Sequence, residues 1–496
     1  MKKKKTIASV TKTLATPLFC LALPLIACSN TLEIPTMQPQ PNVTDTTTIK
    51  DNVSGDYYDW TVTGKPERPY INDYTQCMFM KFDVAYPDNK GGSNVVMNYE
   101  QALDNIKKID AVTRGVKKIV YLVGYQYNGH DTGYPALSLF NKALKREQDA
   151  TPRASYLWLK KEAAKYNTIV SVHTNLNDAW MSSPLWHTYY KNDLLCKNSD
   201  GSLVAYGTNK DMYRVNLVKE WKLGYLQKRI DEATEQLDLK SGGTVHLDVF
   251  HPEPSPYHNV TMEDVNVVLR KVLRYWRDKG VDVTSEDLWN WDHSRTDPFF
   301  GLRPAVWWNN LSEDEHVKVR PQLSAGGECG FVGLPPSQDL GFLFGNNMHA
   351  EELVHPGMSF KEFKKQFCEK SLQYFFLNKH ELVNYDKANK IAYYSDGVVV
   401  SWNDRSVKQN GNLLRQNGDI LLPAVWITGH KELIAYSEGG YTNKTWKLPD
   451  DWSKVQTVTT RPITENGLGE SQTYNVVNGS LTLSMAAGDM YSVQPE

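Results

Sequence analysis

The chain has 496 residues, a formal net charge of −2 and 23% charged residues. This length is sufficient for two domains with a sizeable core, and the balanced charge argues against a nucleic-acid partner. Aromatic residues make up 11% of the chain, with 14 Trp and 27 Tyr. Such rings fill protein cores, but they also stack on the faces of sugars, so the composition leaves both roles open.

The first 27 residues have the features of a bacterial lipoprotein signal peptide. Residues 2–5 are lysines, residues 14–25 are apolar but too few to span a bilayer comfortably, and residues 25–28 (LIAC) resemble a lipobox. That resemblance implies cleavage before Cys28 and lipidation of its thiol, whereas an ordinary signal peptide with a chance cysteine is the alternative. Residues 28–55 predict a flexible tether. We therefore expect a lipid anchor in the bacterial cell envelope, at the outer membrane or the cell surface.

Short apolar runs alternate with helical patterns from residue 75 onward. Strands are predicted at residues 77–84, 117–124, 168–173, 244–250, 281–284, 305–308 and 340–344, and helices at 99–113, 153–166, 218–237, 262–279 and 360–377. Such alternation is typical of an α/β fold, here a (β/α)8 barrel of the TIM type over residues 56–386. A doubly wound open sheet is the alternative, but no Gly-rich dinucleotide fingerprint follows any of these strands.

The pattern changes near residue 387, where helices cease. Short strands are predicted at residues 391–402, 419–426, 431–436, 456–459, 474–477 and 480–485, with Asn-Gly, Gly-Gly or Asn-Asp turns between them. Asn478-Gly479 lies between two apolar runs and predicts a β-hairpin. Residues 387–496 are therefore predicted to form an antiparallel β-sandwich that follows the barrel.

Polar side chains follow several of the predicted barrel strands, at the ends where barrels place their active sites. Asp248 and Glu286 end consecutive strands. Adjacent strands lie about 4.8 Å apart, so the two carboxylates can face one cavity at the roughly 5 to 5.5 Å separation of a retaining glycosidase. A carboxylate that only caps the following loop is the alternative for each residue.

His246, Asp248 and His251 also resemble a run of zinc ligands. Residues i and i+2 of a strand point the same way, and a following loop can supply a third ligand for zinc-dependent hydrolysis. Pro252 and Pro254 stiffen the backbone where that ligand would have to fold back. We therefore prefer the carboxylate pair and expect neither a metal nor a cofactor.

Four features of the sequence together resemble the catalytic core of glycoside hydrolase family 101. They are the run YLVGYQYNGHDTGYP at residues 121–135, the VHTN run at 172–175, the two strand-end carboxylates and the run GDILLPAVW at 418–426. Those enzymes are endo-α-N-acetylgalactosaminidases that release a disaccharide from O-linked mucin glycans, and the exo-acting family 129 is a near relative. The resemblance covers residue 75 to the C-terminus. It implies a retaining mechanism with Asp248 as nucleophile and Glu286 as acid/base, and sugar binding by His130 and Asp131.

Further side chains at strand ends are candidate sugar contacts. Turn formation is the alternative for the polar ones, and core packing is the alternative for the tryptophans. Glu351 or Glu352 would be a rival acid/base if Glu286 pointed away. The candidates are His173, Asn175, Asp178, His246, His251, Trp289, Trp291, Trp307, Trp308, Asn347 and His349.

Three hypotheses about function follow. The first is a monomeric retaining α-glycosidase that acts on O-linked glycans or glycoproteins while anchored to a membrane by its lipid. The second is a zinc-dependent carbohydrate hydrolase or deacetylase, and the third is a non-catalytic glycan-binding surface lipoprotein. Sensitivity to chelation separates the second from the first, and the third predicts binding without turnover.

Overall fold

A parallel sheet organises the first part of the chain. The computed structural model describes residues 51–88, 90–208, 210–286, 298–307, 313–318, 324–327, 338–348 and 353–496, so the predicted signal peptide and most of the tether lie outside them. Seven strands follow one another in chain order across the sheet. These barrel strands, numbered one to seven here, are Cys77–Asp83, Lys117–Val123, Thr168–Asn175, Thr244–Asp248, Asp282–Ser285, Ala305–Trp307 and Ser324–Gly327.

Asn347 joins the two edges of this sheet. Its backbone forms a parallel bridge with Gly327 of the seventh strand, and its N–H donates to the carbonyl oxygen of Gly326 at 2.7 Å. Its side-chain Nδ2 donates to the carbonyl oxygen of Cys77, in the first strand, at 2.9 Å. In the part of the chain that the structure describes, Asn347 stands where an eighth strand would close the sheet, and the predicted TIM-type barrel is confirmed.

Side chains of the barrel strands alternate between the interior and the surrounding helices. Phe79, Ile119 and Tyr121 belong to an interior cluster, whereas Met80 and Val120 pack in the large core that includes the helices. The α-helices are Trp60–Thr63, Tyr99–Val112, Pro152–Ala164, Trp186–Lys191, Leu217–Lys222, Tyr225–Gln236, Leu239–Gly242, Met262–Asp278, Glu313–Lys318, Gln338–Phe344, Phe360–Gln366 and Leu372–Leu377, the last two joined by the π-helical turn Phe367–Ser371.

Local sequence explains where two of the helices begin. Asn98 and Gln101 form a capping box at the start of Tyr99–Val112, and Thr261 and Asp264 form another before Met262–Asp278.

Within the described ranges, no helix combines the length and the apolar character that crossing a bilayer requires.

Three predicted elements were wrong, and the seventh barrel strand, Ser324–Gly327, was not predicted. The strand predicted over residues 391–402 is two antiparallel strands, Ile391–Tyr394 and Val398–Ser401. The helix predicted over residues 218–237 is broken into two at Gly224, whose φ of +79° belongs to the left-handed region. The strand predicted at residues 340–344 is part of the helix Gln338–Phe344. Leu340, Phe342 and Leu343 are all buried there, and periodicity cannot separate a short helix that is apolar on every side from a buried strand.

The C-terminal part consists of two antiparallel sheets. The larger sheet has eleven strands and the smaller has two, Tyr441–Lys447 and Ser480–Met485. A second apolar core, which includes Leu421, Trp446 and Leu481, joins the two sheets, and the predicted sandwich is confirmed. The strands of the larger sheet are Leu382–Asp386, Ile391–Tyr394, Val398–Ser401, Ser406–Gln409, Asn412–Gln416, Asp419–Pro423, Leu433–Ser437, Thr457–Thr464, Gly467–Leu468, Gln472–Asn475 and Met490–Pro495.

The predicted turn at Asn478-Gly479 is present, but its flanking strands do not form a long hairpin. Both turn residues have positive φ, as a two-residue hairpin turn requires, and Val477 forms a single bridge with Ser480. Beyond that bridge, Gln472–Asn475 pairs with Thr457–Thr464, while Ser480–Met485 pairs with Tyr441–Lys447. The turn therefore carries the chain from one sheet to the other.

Candidate active site

The loop that follows the second barrel strand places His130 and Asp131. Gly124 has a φ of +86°, and a Cβ there would lie 1.9 Å from the carbonyl oxygen of Ala85. A Cβ on Gly129 would similarly meet the backbone of Tyr86 at 2.6 Å. The His130 N–H donates to the Ala85 carbonyl oxygen at 2.9 Å, so the glycines of this motif permit the close approach that holds the His-Asp pair over the barrel.

Two imidazoles lie side by side in the barrel interior. His173 of the third strand and His246 of the fourth are paired in register, with ring centroids 5.3 Å apart. Asp248 Oδ2 lies 3.4 Å from His173 Nε2, and Glu286 Oε1 lies 3.6 Å from His246 Nε2. Each of the two carboxylates therefore contacts one member of the imidazole pair.

The strand register also brings the two carboxylates together. Leu247 of the fourth strand pairs with Ser285 of the fifth, and Asp248 and Glu286 are the next residues along the two strands. Neighbouring strands lie about 4.8 Å apart. The two carboxylates therefore occupy equivalent positions at the carboxyl ends of adjacent strands, as the sequence predicted.

Lys81 and His246 surround the Glu286 carboxylate. The Lys81 ammonium donates a hydrogen bond to Glu286 Oε1. Burial holds the pKa of His246 well below its ordinary value, so this imidazole is neutral at pH 7. Its Nδ1 lies 2.9 Å from Thr284 Oγ1, which fixes the ring beneath Glu286.

Asp248 is held by the backbone that follows it. Its Oδ1 accepts a hydrogen bond from the Val249 N–H at 2.8 Å, and Val249 has a φ of +51°, a strained conformation for a β-branched residue. Asn177 Nδ2 donates to the carbonyl oxygens of Val249 at 2.6 Å and His251 at 2.9 Å. Asn177 therefore stabilises the conformation that aims the Val249 N–H at the carboxylate.

We expect Asn177→Ala to lower the free energy of unfolding by about 1–3 kcal/mol, because two acceptors in a mostly buried loop lose their donor. Urea unfolding monitored by tryptophan fluorescence gives this quantity. Asn198→Ala is the control, because Asn198 is exposed and its Nδ2 donates to the nearby Ser202 hydroxyl at 3.0 Å, so the change should stay within about 0.5 kcal/mol. Equal effects of the two substitutions would contradict the role given to Asn177.

A second polar network lies beside Asp248. Asp178 accepts hydrogen bonds from Asn175 Nδ2 at 2.6 Å and from Arg214 Nη1 at 2.5 Å. Arg214 Nε also lies 3.3 Å from Glu253 Oε1, which is 3.0 Å from His251 Nε2. Asn175, Asp178 and His251 thus belong to one network that runs through Arg214 and Glu253 beside the predicted site. Their sugar contacts stay a prediction.

Carboxylates outnumber cations in this region. Desolvation raises the pKa of Asp131 to about 7, and the negative charges of Asp248, Asp178 and Glu286 act in the same direction while His130 opposes them. Asp131 therefore keeps its proton well above the ordinary range of an aspartate. A protonated carboxyl can donate a hydrogen bond, which a carboxylate cannot.

A raised carboxyl pKa makes stability fall as the pH rises. Between about pH 4, where an unfolded aspartate ionises, and about pH 7, the folded protein binds the Asp131 proton and the unfolded chain does not. We expect Asp131→Asn to remove this part of the decline. Melting temperatures of both proteins between pH 4 and pH 8 test this, and parallel curves would contradict the raised pKa.

The structure adds functional candidates that the sequence analysis missed. Lys81 contacts Glu286, and Asn177 and Arg214 order the loops around Asp248. Tyr206 stacks on Arg214, with the guanidinium carbon 4.2 Å from the ring centroid, and its side chain is 43% exposed. Only Lys81 had a signal in the sequence, as a lysine inside the apolar run of residues 77–84. The positions of Asn177, Arg214 and Tyr206 depend on loop conformation.

Several predicted residues lie outside the described part of the chain, and their roles stay predictions. Trp307 is described only as part of the sixth strand. The residues outside are Cys28, Trp289, Trp291, Trp308, His349, Glu351 and Glu352.

The zinc-ligand run considered from the sequence is not assembled in the described residues. His251 contacts Glu253 and is absent from both groups of side chains whose donor atoms lie within 4.8 Å of one another. One group is His130, Asp131, His173 and Asp248, and the other is His173, His246 and Glu286. These donor types could hold a divalent cation, although the Lys81 ammonium already compensates Glu286.

A closed α/β barrel with two carboxylates at the carboxyl ends of adjacent strands is an arrangement that many glycoside hydrolases use. The model of glycoside hydrolase family 101, described as endo-alpha-N-acetylgalactosaminidase, matches residues 86–301. This range includes His130, Asp131, Asp248 and Glu286. The predicted resemblance to this family is confirmed over the matched residues.

Solved structures with a similar fold include an alpha-N-acetylgalactosaminidase, NagBb, from Bifidobacterium bifidum. Its ligand-free form aligns with a TM-score of 0.51 and 11% identity over 67% of this chain and 58% of that chain. Its GalNAc complex aligns with a TM-score of 0.50 and 10% identity over 68% and 58%. The chain thus spans 58% of the length of that enzyme, and the likeness concerns the fold.

Proposed function

We propose that the protein is a retaining α-glycosidase that cleaves α-linked N-acetylgalactosamine from mucin-type O-glycans. The observation that carries this proposal is the pairing of Asp248 and Glu286 at equivalent strand ends, each beside one imidazole of the His173–His246 pair. Retention requires carboxyl groups about 5 to 5.5 Å apart, and adjacent strands supply a separation of that size. The match to family 101 supports the choice of sugar.

The proposed mechanism uses both carboxylates in turn. Asp248 attacks the anomeric carbon and forms a glycosyl ester as the bond to the leaving oxygen breaks, while Glu286 gives its proton to that oxygen. Glu286 then takes a proton from water, which attacks the same carbon and releases Asp248. Two displacements at one carbon restore the original configuration.

The side chains around the carboxylates are assigned to sugar binding. His130 and Asp131 lie over the barrel, and Asp131 is close enough to Asp248 for its pKa to respond to that charge. A protonated Asp131 would donate to a sugar hydroxyl, while His173 keeps its contact with Asp248. The exposed ring of Tyr206 offers an apolar face for a sugar.

Aryl α-N-acetylgalactosaminide and aryl Galβ1-3GalNAcα test the reaction and its mode. Release of GalNAc from the first indicates exo cleavage, and release of the intact disaccharide from the second indicates endo cleavage. Proton NMR of the first product formed should detect the α-anomer before mutarotation, because the mechanism retains configuration. No cleavage of either substrate, or the β-anomer as first product, would refute the proposal.

A metal-dependent carbohydrate hydrolase or deacetylase is the second candidate, favoured by the two groups of close donor atoms. Such an enzyme would lose activity on dialysis against a chelator and regain it with metal. The proposed glycosidase should be unaffected. A non-catalytic glycan-binding protein would bind the disaccharide and release neither sugar.

We also propose that the enzyme is a monomer anchored to the cell envelope through Cys28. The lipobox-like residues 25–28 and the polar tether that follows support this location. In cells fed a radiolabelled or clickable fatty acid, the wild-type protein should take up the label and sediment with membranes. Cys28→Ser should do neither, and labelling of that variant would place the lipid elsewhere.

A further inference from the structure

The first barrel strand places a lysine in the interior of the barrel. Lys81 belongs to an otherwise apolar strand, and its side chain is only 1% exposed. Its ammonium pairs with Glu286 Oε1, across 205 residues of sequence. Because an ammonium loses its hydration in such a place, it must be compensated by a negative charge or by acceptors, and Glu286 Oε1 is an acceptor in either protonation state of the acid.

Two buried groups meet the same oxygen of Glu286. His246 Nε2 lies 3.6 Å from Glu286 Oε1, which is the atom that Lys81 also contacts. The His246 ring is itself fixed by its contact with Thr284. Both contacts to Oε1 come from strands of the barrel, which are more rigid than loops.

We propose that Lys81 is the positioning residue of the acid/base: it holds Oε1 so that Oε2 delivers the proton to the leaving oxygen. This inference rests on the proposed glycosidase function and on Glu286 as acid/base. When the Oε2 proton passes to the glycosidic oxygen as its bond to the anomeric carbon breaks, Glu286 becomes a carboxylate. Lys81 then stabilises the charge that appears, and the proton is regained from water in the second displacement.

Lys81→Met and Lys81→Gln remove the charge while keeping a side chain of similar reach. With the natural leaving group, the Ser or Thr oxygen of a glycopeptide, we expect kcat to fall about 100-fold, the size of effect that misplacement of a reacting group by 1 Å produces, with KM nearly unchanged. With an activated aryl leaving group, which needs little proton transfer, the loss should stay below about tenfold. An equal loss on both substrates would overturn the proposal.

Lys118→Met is the matched control. Lys118 is a buried lysine of the neighbouring barrel strand, and its ammonium pairs with Asp110 of a helix, outside the barrel interior. Its loss should lower stability and leave the ratio of activities on the two substrates unchanged. A leaving-group effect in this variant equal to that of Lys81→Met would also overturn the proposal, since any buried lysine would then suffice.

A double-mutant cycle decides whether Lys81 acts through Glu286. On the natural substrate, the double variant Lys81→Met/Glu286→Gln should be no slower than Glu286→Gln alone. If the fold-losses in kcat of the two single variants instead multiply in the double variant, the inference is contradicted. Urea unfolding of the wild type, the two single variants and the double variant tests the pair without any enzymatic activity. The free energy of unfolding should fall less in the double variant than the sum of the two single losses. A wild type inactive on both substrates refutes the proposed function, and additive unfolding losses refute the Lys81–Glu286 pair.

Discussion

Asp248→Asn is expected to abolish turnover while sparing sugar binding. The amide keeps the shape of the carboxylate and its hydrogen bond from Val249, but it cannot attack the anomeric carbon. Loss of a covalent nucleophile costs several decades in kcat, so we expect a fall of about 10⁴-fold or more. Calorimetric titration with GalNAc should give a dissociation constant within a few-fold of the wild-type value.

Azide separates a missing nucleophile from a damaged site. In Asp248→Gly, the vacated space should admit azide and yield a glycosyl azide of configuration opposite to the substrate, since one displacement replaces two. Asp248→Asn should not be rescued, because the amide still fills the space. If Asp248→Asn retains more than about a tenth of the wild-type rate, Asp248 is not the nucleophile.

Glu286→Gln should show the second large effect, and the size should depend on the leaving group. General-acid catalysis contributes about 10²–10⁴-fold when the departing oxygen is a poor leaving group. We therefore expect a loss of that size on native glycans and a much smaller one on activated aryl glycosides. Steady-state kinetics on the two substrates measure the difference.

Glu253→Gln is the control for this substitution. Glu253 is a partly buried carboxylate near the site, but it contacts His251 and Arg214. Any loss in this variant should be the same on both substrates. If Glu286→Gln loses equally on both, the acid must be reassigned, and Glu351 or Glu352 becomes the next residue to test.

Most of the fold could be predicted from local sequence. Alternation of apolar runs with helical patterns identified the barrel, because each βα unit has its own period and its own turns. The carboxylates at residues 248 and 286 could be placed together for the same reason, since parallel strands end at one face of the barrel. Residues 340–344 were mistaken for a strand because all five are buried in the helix, which removes the helical period.

The sequence by itself determined the first six barrel strands, the change to a β-sandwich near residue 387, the resemblance to family 101 and the two strand-end carboxylates, but not the strand Ser324–Gly327. Only the tertiary structure decided that Asn347 closes the barrel, that His251 turns to Glu253 and that Lys81 meets Glu286. The physical reason is the range of the interactions. Periodicity and turns are set by neighbours in the chain, whereas these contacts exist only after the strands close around a common interior.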